Sequence, residues 1–287
     1  MSSNNNSTDL NKTKIFYRPE MVVEFKDHTS QSTYKPKLFT EDVIKTGLYE
    51  ICQFEPLIVT DFLLAHREHY VKAFFAGQKP LCNSASFNWT PEYAESIKYT
   101  SASLYQAIKE AVKYNTLTIS PISGVHHSTP NRGHDFCAMS GQVIASLKIY
   151  QESALKAAYI DLDAHYGNSI EDTYNFNKLL YKAIPKGNNV NVAGDNYLNK
   201  LSKALNAIQD VDYVVICHGA DLVEGDILGG FQSKEIWLEA AKMTVEKFKH
   251  LPIVYCLFGG YRDDFQEVLD LHLEGVELVR QTYNSQF

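Results

Sequence analysis

Three short apolar runs constrain this chain more than any other feature. Ala157–Asp161 (AAYID), Val211–Cys217 (VDYVVIC) and Ile253–Leu257 (IVYCL) lack the alternation of a strand with one wet face. Continuous runs of this length fit strands buried on both sides, as in parallel sheets covered by helices. The stretches between them carry helical spacing at Asp61–Gly77, Pro91–Lys113, Ala138–Gln151, Tyr197–Ile208, Lys234–His250 and Asp263–Gln281. Thr90 before Pro91 predicts an N-cap followed by proline in the first turn. Thr13–Tyr17 and Leu117–Ile119 add two short strand candidates. Strands alternating with longer helices predict an α/β architecture. The chain has 287 residues, 45% of them hydrophobic, enough for a substantial core. No linker-like segment divides it, so one domain is expected after a polar, Ser/Asn-rich tail over residues 1–12 that reads as disordered.

Composition removes several function classes. Lys and Arg total 27 against 34 acids, a net charge of −7, and there is no basic patch of the kind nucleic-acid binding needs. No apolar stretch approaches the roughly 20 residues of a membrane span. Five scattered cysteines, with no CxxC spacing, fit neither a disulfide framework nor a zinc ribbon. The first residues lack the basic start and apolar run of a secretory signal, so a cytoplasmic protein is expected.

In open α/β sheets, ligands sit beyond the carboxyl ends of the strands. The residues just past each apolar run are therefore informative. After AAYI come Asp161, Asp163 and His165, which would share one face if the strand stayed extended. Two carboxylates and an imidazole are O and N donors suited to zinc or ferrous iron. Asp161 can alternatively serve as the outer partner of a histidine. After VDYVVIC comes Asp221, a possible third ligand. His126 and His127 come after the Leu117–Ile119 run, and imidazoles titrating near neutrality suit acid–base work. Gly259, Gly260 and Tyr261 come after the last run, where the glycines permit close backbone approach and the hydroxyl can donate to a developing oxyanion. Together these four strand ends offer the parts of a mononuclear hydrolytic site.

These segments resemble the histone deacetylase family. GVHHSTPNRGHDFC resembles its tandem-histidine segment, DLDAHYGN its Asp-x-Asp-x-His segment, GADLVEGDILGGF its third-ligand loop and GGY its tyrosine loop. DFLLAHREHYVKAF is similar to an early helix of that family. The resemblance runs from about residue 13 to 280 and is nearest to the class IV branch. It implies an arginase–deacetylase fold: a deacetylase-like catalytic domain over 13–287, with a central parallel sheet of about eight strands flanked by helices on both faces. It implies one Zn²⁺ held by Asp163, His165 and Asp221, and His126 and His127 as the acid–base pair oriented by Asp161 and Asn168. Tyr261 would stabilise the oxyanion, Asp135, Phe136, Gly259 and Gly260 would border the substrate channel, and a structural K⁺ would lie near Asp161.

The implied reaction is hydrolysis of acyl-lysine amides, acetyl or longer, by metal-activated water. Three departures bear on the substrate. Asp135 and Phe258 stand where the family has glycine, and Asn175–Asp195 lacks the usual Pro-Gly loop, keeping only Pro185-Lys186-Gly187. The alternatives are a deacylase of a small acylated amine such as an acetylpolyamine, an arginase-like ureohydrolase with a binuclear manganese site, and a non-catalytic binding module.

Overall fold

The computed structural model describes residues 12–25 and 29–285, so the expected tail over 1–12 lies, apart from Lys12, outside the described residues. Seven strands are described: β1 (Thr13–Phe16), β2 (Tyr49–Cys52), β3 (Leu117–Ser120), β4 (Ala157–Leu162), β5 (Asn189–Asn191), β6 (Tyr213–His218) and β7 (Ile253–Leu257). They form one sheet in the order β2-β1-β3-β7-β6-β4-β5, and every pairing is parallel. Around it lie α1 (Lys35–Val43), α2 (Glu68–Phe75), α3 (Pro91–Tyr114), α4 (Gly141–Ser153), α5 (Ser169–Tyr174), α6 (Leu180–Ala183), α7 (Tyr197–Ala207), α8 (Lys234–Phe248) and α9 (Phe265–Asn284). Among the described residues no helix is long and apolar enough to cross a membrane.

Period-two alternation splits the core into two layers. Tyr159, Val215 and Val254 pack on one face of the sheet with α3 and α4. Ile160, Ile216 and Tyr255 pack on the other with α7, α8 and α9. Every residue of β4, β6 and β7 is buried, which is why these strands read as unbroken apolar runs. Thr90 caps α3 by accepting the Tyr93 amide at 3.1 Å, with Pro91 in the first turn, as its sequence predicts.

The helix expected over Asp61–Gly77 is not continuous. A 3₁₀ segment, Val59–Leu64, stops before α2 because Arg67 is extended (ψ 144°) and its amide donates to the Pro130 carbonyl at 2.8 Å. A tertiary hydrogen bond here overrides helical spacing. The edge strands β2 and β5 and the helices α1, α5 and α6 have no counterpart in the sequence-based expectation.

Register sets up the site. Leu162, His218 and Leu257 are lateral partners, so β4, β6 and β7 end level with one another. Ser120 at the end of β3 pairs with Cys256, one residue earlier on β7. The chain segments beyond these four adjacent strands therefore emerge side by side.

Removing the α3 cap with Thr90→Ala should lower unfolding stability by about 1 kcal/mol, since that is the usual worth of such a cap. Denaturant melts of the two proteins check this, and coincident midpoints would show that the cap contributes nothing.

Candidate active site

Asp163, His165 and Asp221 converge, each offering one ligand atom within 4.8 Å of the others. Asp163 and Asp221 are buried and His165 is half-buried. His165 Nδ1 lies 3.3 Å from Asp163 Oδ1 and 3.0 Å from Asp221 Oδ2. Its other ring nitrogen, Nε2, lies 3.0 Å from the Leu228 carbonyl oxygen. A carbonyl only accepts, so Nε2 carries the hydrogen and Nδ1 is the atom aimed at the carboxylates. Ionised carboxylates also only accept, so three electron-pair donors face one another. A proton or a cation must sit among them. In its metal-free state the cluster answers with protons: the two carboxylate hydrogen bonds push His165 up to about 10. Burial, and then the neighbouring Asp163, push Asp221 up to about 7. Burial works against ionised Asp163, but His126 and His165 outweigh it and hold that carboxyl well below its usual range. Two oxygens and one imidazole nitrogen fit zinc, leaving positions open for other ligands.

Backbone amides finish the cradle. Gly259 N donates to Asp163 Oδ2 at 2.8 Å and Ala164 N to Asp221 Oδ1 at 3.2 Å. A Cβ at position 259 would run into the Asp221 carboxylate, so only glycine fits there. Gly259 thus packs against the ligand cluster. Gly260 has φ +150°, and a Cβ there would press on Val268.

His165 does not reach the cluster by strand alternation. β4 ends at Leu162, and a turn closed by the His165 amide on Asp163 Oδ1 (2.9 Å) carries the imidazole in. Asp161, still in the strand, instead accepts from His126 Nδ1 at 3.0 Å.

The two histidines lie with ring centroids 4.0 Å apart and have different settings. Burial works against a His126 cation, but Asp161 and Asp163 outweigh it and push the ring up to about 9. Burial, then His126 itself, push His127 down to about 4. Asn168 donates its amide nitrogen to the His127 carbonyl (3.3 Å) and to Asp172 Oδ2 (2.6 Å), which leaves its oxygen to face His127 Nδ1 at 3.1 Å. His127 therefore carries its hydrogen on Nδ1 and keeps the Nε2 lone pair free.

The Tyr261 ring sits 6.3 Å from that of His165 and 5.7 Å from that of Phe136. Burial holds its hydroxyl far above the ordinary range, so it remains a donor. Asp135 and Phe136 form the tip of a two-residue hairpin in which His134 and Cys137 exchange both backbone hydrogen bonds (3.0 and 2.7 Å). Both tip residues are left-handed, at φ +40° and +64°. Asp tolerates this region; Phe does so at a strain of order 1–3 kcal/mol. The Asp135 side chain is exposed. Phe258 is buried and meets the His126 ring edge-on at 4.8 Å. The segment without the Pro-Gly loop follows α5, forms α6 and turns into β5 at Pro185–Asn188.

Three contributors were not singled out from sequence. Lys35, fully buried at the start of α1, donates to the Phe258 carbonyl and lies 3.4 Å from His272 Nε2, and burial pushes it down to about 8. Asp226 accepts the Tyr261 amide at 2.6 Å. The Leu228 carbonyl fixes His165. Asp226 and Leu228 lie inside the GADLVEGDILGGF segment, whereas nothing near Lys35 in sequence signals its burial.

Comparison with known proteins shows the family and the fold. The sequence profile of the histone deacetylase domain matches residues 28–184, more than half of the chain. Histone deacetylase 2 of Arabidopsis thaliana is 27% identical over 179 residues, covering 53% of this chain and 46% of that protein. Histone deacetylase HDA1 of Candida albicans is 24% identical over 218 residues, covering 60% of this chain and 26% of that protein. The chain thus spans less than half the length of these two relatives. The crystal structure of a histone deacetylase homologue from Aquifex aeolicus superposes with a TM-score of 0.74 at 17% identity, covering 96% of this chain and 84% of that one. A homologue solved in complex with SAHA superposes at 0.71, also at 17% identity, covering 94% and 84%. These likenesses give the fold. On the profile match, this chain belongs to the histone deacetylase family.

Proposed function

We propose that the chain is a zinc-dependent amide hydrolase that removes acyl groups from lysine side chains. The observation that carries this reading is the Asp163–His165–Asp221 cluster, in which two buried carboxylates and an imidazole nitrogen turn their lone pairs toward one another. These residues would hold Zn²⁺, which when bound supplies Lewis acidity that activates water and polarises the amide carbonyl. It is the one cluster of this kind among the described residues, which favours a mononuclear site over the binuclear arginase-like alternative.

The protein's own groups divide the remaining work. Neutral His127, with Nε2 free, takes the proton of the attacking water. Tyr261 donates its hydroxyl hydrogen to the carbonyl oxygen as negative charge develops there. His126, held cationic by Asp161, donates a proton to the departing amine. Phe136 and Tyr261 form the apolar wall beside the scissile bond, and the Asp135 carboxylate stands at its rim. That carboxylate, exposed at the hairpin tip next to Phe136, favours a small cationic acylated amine as the second reading. A K⁺ ion belongs to the same proposal. Its support is Asp161 Oδ1, buried and without a hydrogen-bond partner, next to a cavity of about 50 Å³ lined by Asp161, His165, Asn191 and Val192.

Two outcomes test this account. Tyr261→Phe should lower kcat on an acyl-lysine peptide by about two to three orders of magnitude, the usual loss for an oxyanion donor, with zinc content unchanged. A near-normal rate would remove Tyr261 from the chemistry. The pH profile is set by His126. Against the effect of burial, Asp161 and then Asp163 raise its folded-state value from 6.5 to about 9, so the cation is complete below 6.5 and is lost as pH rises through about 9. Activity should fall on that basic side, and Asp161→Asn should move the fall to lower pH. A basic limb that stays in place in Asp161→Asn would assign it to another group.

A further inference from the structure

Two of the groups in the proposed reaction sit on different loops: His165 after β4 and Tyr261 after β7. Asp226, in the loop after β6, has no role in the steps above. It is buried, 8% exposed, and each of its carboxylate oxygens has its own partner. Oδ2 accepts the Tyr261 amide at 2.6 Å. Oδ1 accepts the Leu228 amide at 3.0 Å. The Leu228 carbonyl in turn accepts from His165 Nε2 at 3.0 Å. One carboxylate thus stands between the backbone of the tyrosine and the peptide segment that fixes the imidazole.

The loop that carries Asp226 is itself tied to the Asp221 strand end. Gly230 N donates to the Asp221 carbonyl at 2.7 Å, Gln232 N to the Leu222 carbonyl at 2.9 Å, and Asp226 N to the Val223 carbonyl at 3.2 Å. Gly225 at φ +92° and Gly230 at φ +80° let the loop fold back on itself on either side of Asp226. The carboxylate therefore has a fixed base, from which it holds the Tyr261 backbone directly and the His165 imidazole through the Leu228 peptide.

We propose that Asp226 is a positioning residue that sets the Tyr261 hydroxyl and the His165 imidazole relative to one another, the first through the Tyr261 backbone and the second through the Leu228 peptide of its own loop. This rests on the reading of the site as a metal-dependent amide hydrolase. A carboxylate is the group that suits the position: both neighbours are N–H donors, and both of its oxygens accept. Asparagine has the same shape but one oxygen, so its amide nitrogen would face a backbone N–H. One hydrogen bond becomes a donor–donor contact while the volume stays constant.

The test compares the full chain with Asp226→Asn, each with and without Tyr261→Phe, in two measurements. The first is kcat and KM on an acetyl-lysine peptide. The second is Zn²⁺ affinity of the metal-free protein, read by competition with a chromophoric chelator. Outer partners of metal ligands typically contribute about ten- to hundredfold to affinity or activity. Asp226→Asn should lower kcat by that factor with KM nearly unchanged, and weaken Zn²⁺ binding about tenfold. In the Tyr261→Phe background the further loss of kcat should be much smaller, because the hydroxyl that Asp226 places is already gone. A folded Asp226→Asn protein with wild-type kcat and Zn²⁺ affinity overturns the proposal. So does a kcat loss that is equally large in both backgrounds with affinity unchanged. If the unaltered chain hydrolyses no acyl-lysine peptide, the hydrolase reading fails by itself, and Zn²⁺ affinity alone then decides whether Asp226 holds His165. If Asp226→Asn does not fold, Asp226→Ser, which keeps one acceptor, takes its place in both measurements.

Discussion

The architecture around the site depends on one electrostatic constraint: Asp163 and Asp221 are buried with their oxygens turned toward a single imidazole nitrogen. Two carboxylates in that setting repel each other and have lost most of their hydration. Amides of Ala164, His165 and Gly259 donate to them, the neighbouring imidazoles favour ionised Asp163, and their chain segments leave the sheet at the same level. Glycine at 259 is required by the same crowding, since no side chain fits between its backbone and Asp221. Even so, the amides leave charge uncompensated, and a divalent cation is the simplest answer to it.

The histidine pair shows how neighbours on one short segment take opposite protonation states. His126 faces a carboxylate, Asp161, and is raised; His127 faces a neutral amide, Asn168, and is lowered by burial and by the charge next to it. The difference comes from what each Nδ1 meets. Across the site, the Asp135–Phe136 hairpin tip keeps a bulky residue left-handed to bring its ring against Tyr261. Strain of this kind persists where surrounding contacts over-determine it, and it is concentrated here at the wall where substrate would lie.

Sequence made the centre of the molecule legible and its edges obscure. β4, β6 and β7 are buried on both faces, and their composition announces it. The edge strands are short and partly wet: β2 carries Glu50 and β5 is Asn-Val-Asn, so neither has an apolar run to find. The candidate residues lie at or just beyond the ends of the central strands, and the structure brings Asp161, Asp163, His165 and Asp221 together with His126, His127 and Tyr261 around one locus. What sequence could not supply was the support. Lys35 reaches the Phe258 carbonyl across 223 positions, and Asp226 reaches the Tyr261 amide across 35. Such contacts depend on how loops meet in space, and no spacing rule within one segment encodes them. The break at Arg67 has the same origin, a hydrogen bond to a residue far along the chain.

The central claim is that the buried Asp163–His165–Asp221 cluster is a mononuclear metal site for amide hydrolysis. The most direct test is to titrate metal-free protein with Zn²⁺ while monitoring hydrolysis of a series of lysine peptides acylated from acetyl to myristoyl. The account predicts turnover that rises in proportion to bound zinc, reaches its plateau at one ion per chain, and disappears on chelation. Turnover that does not depend on metal, or a plateau reached only at two ions per chain, would contradict it.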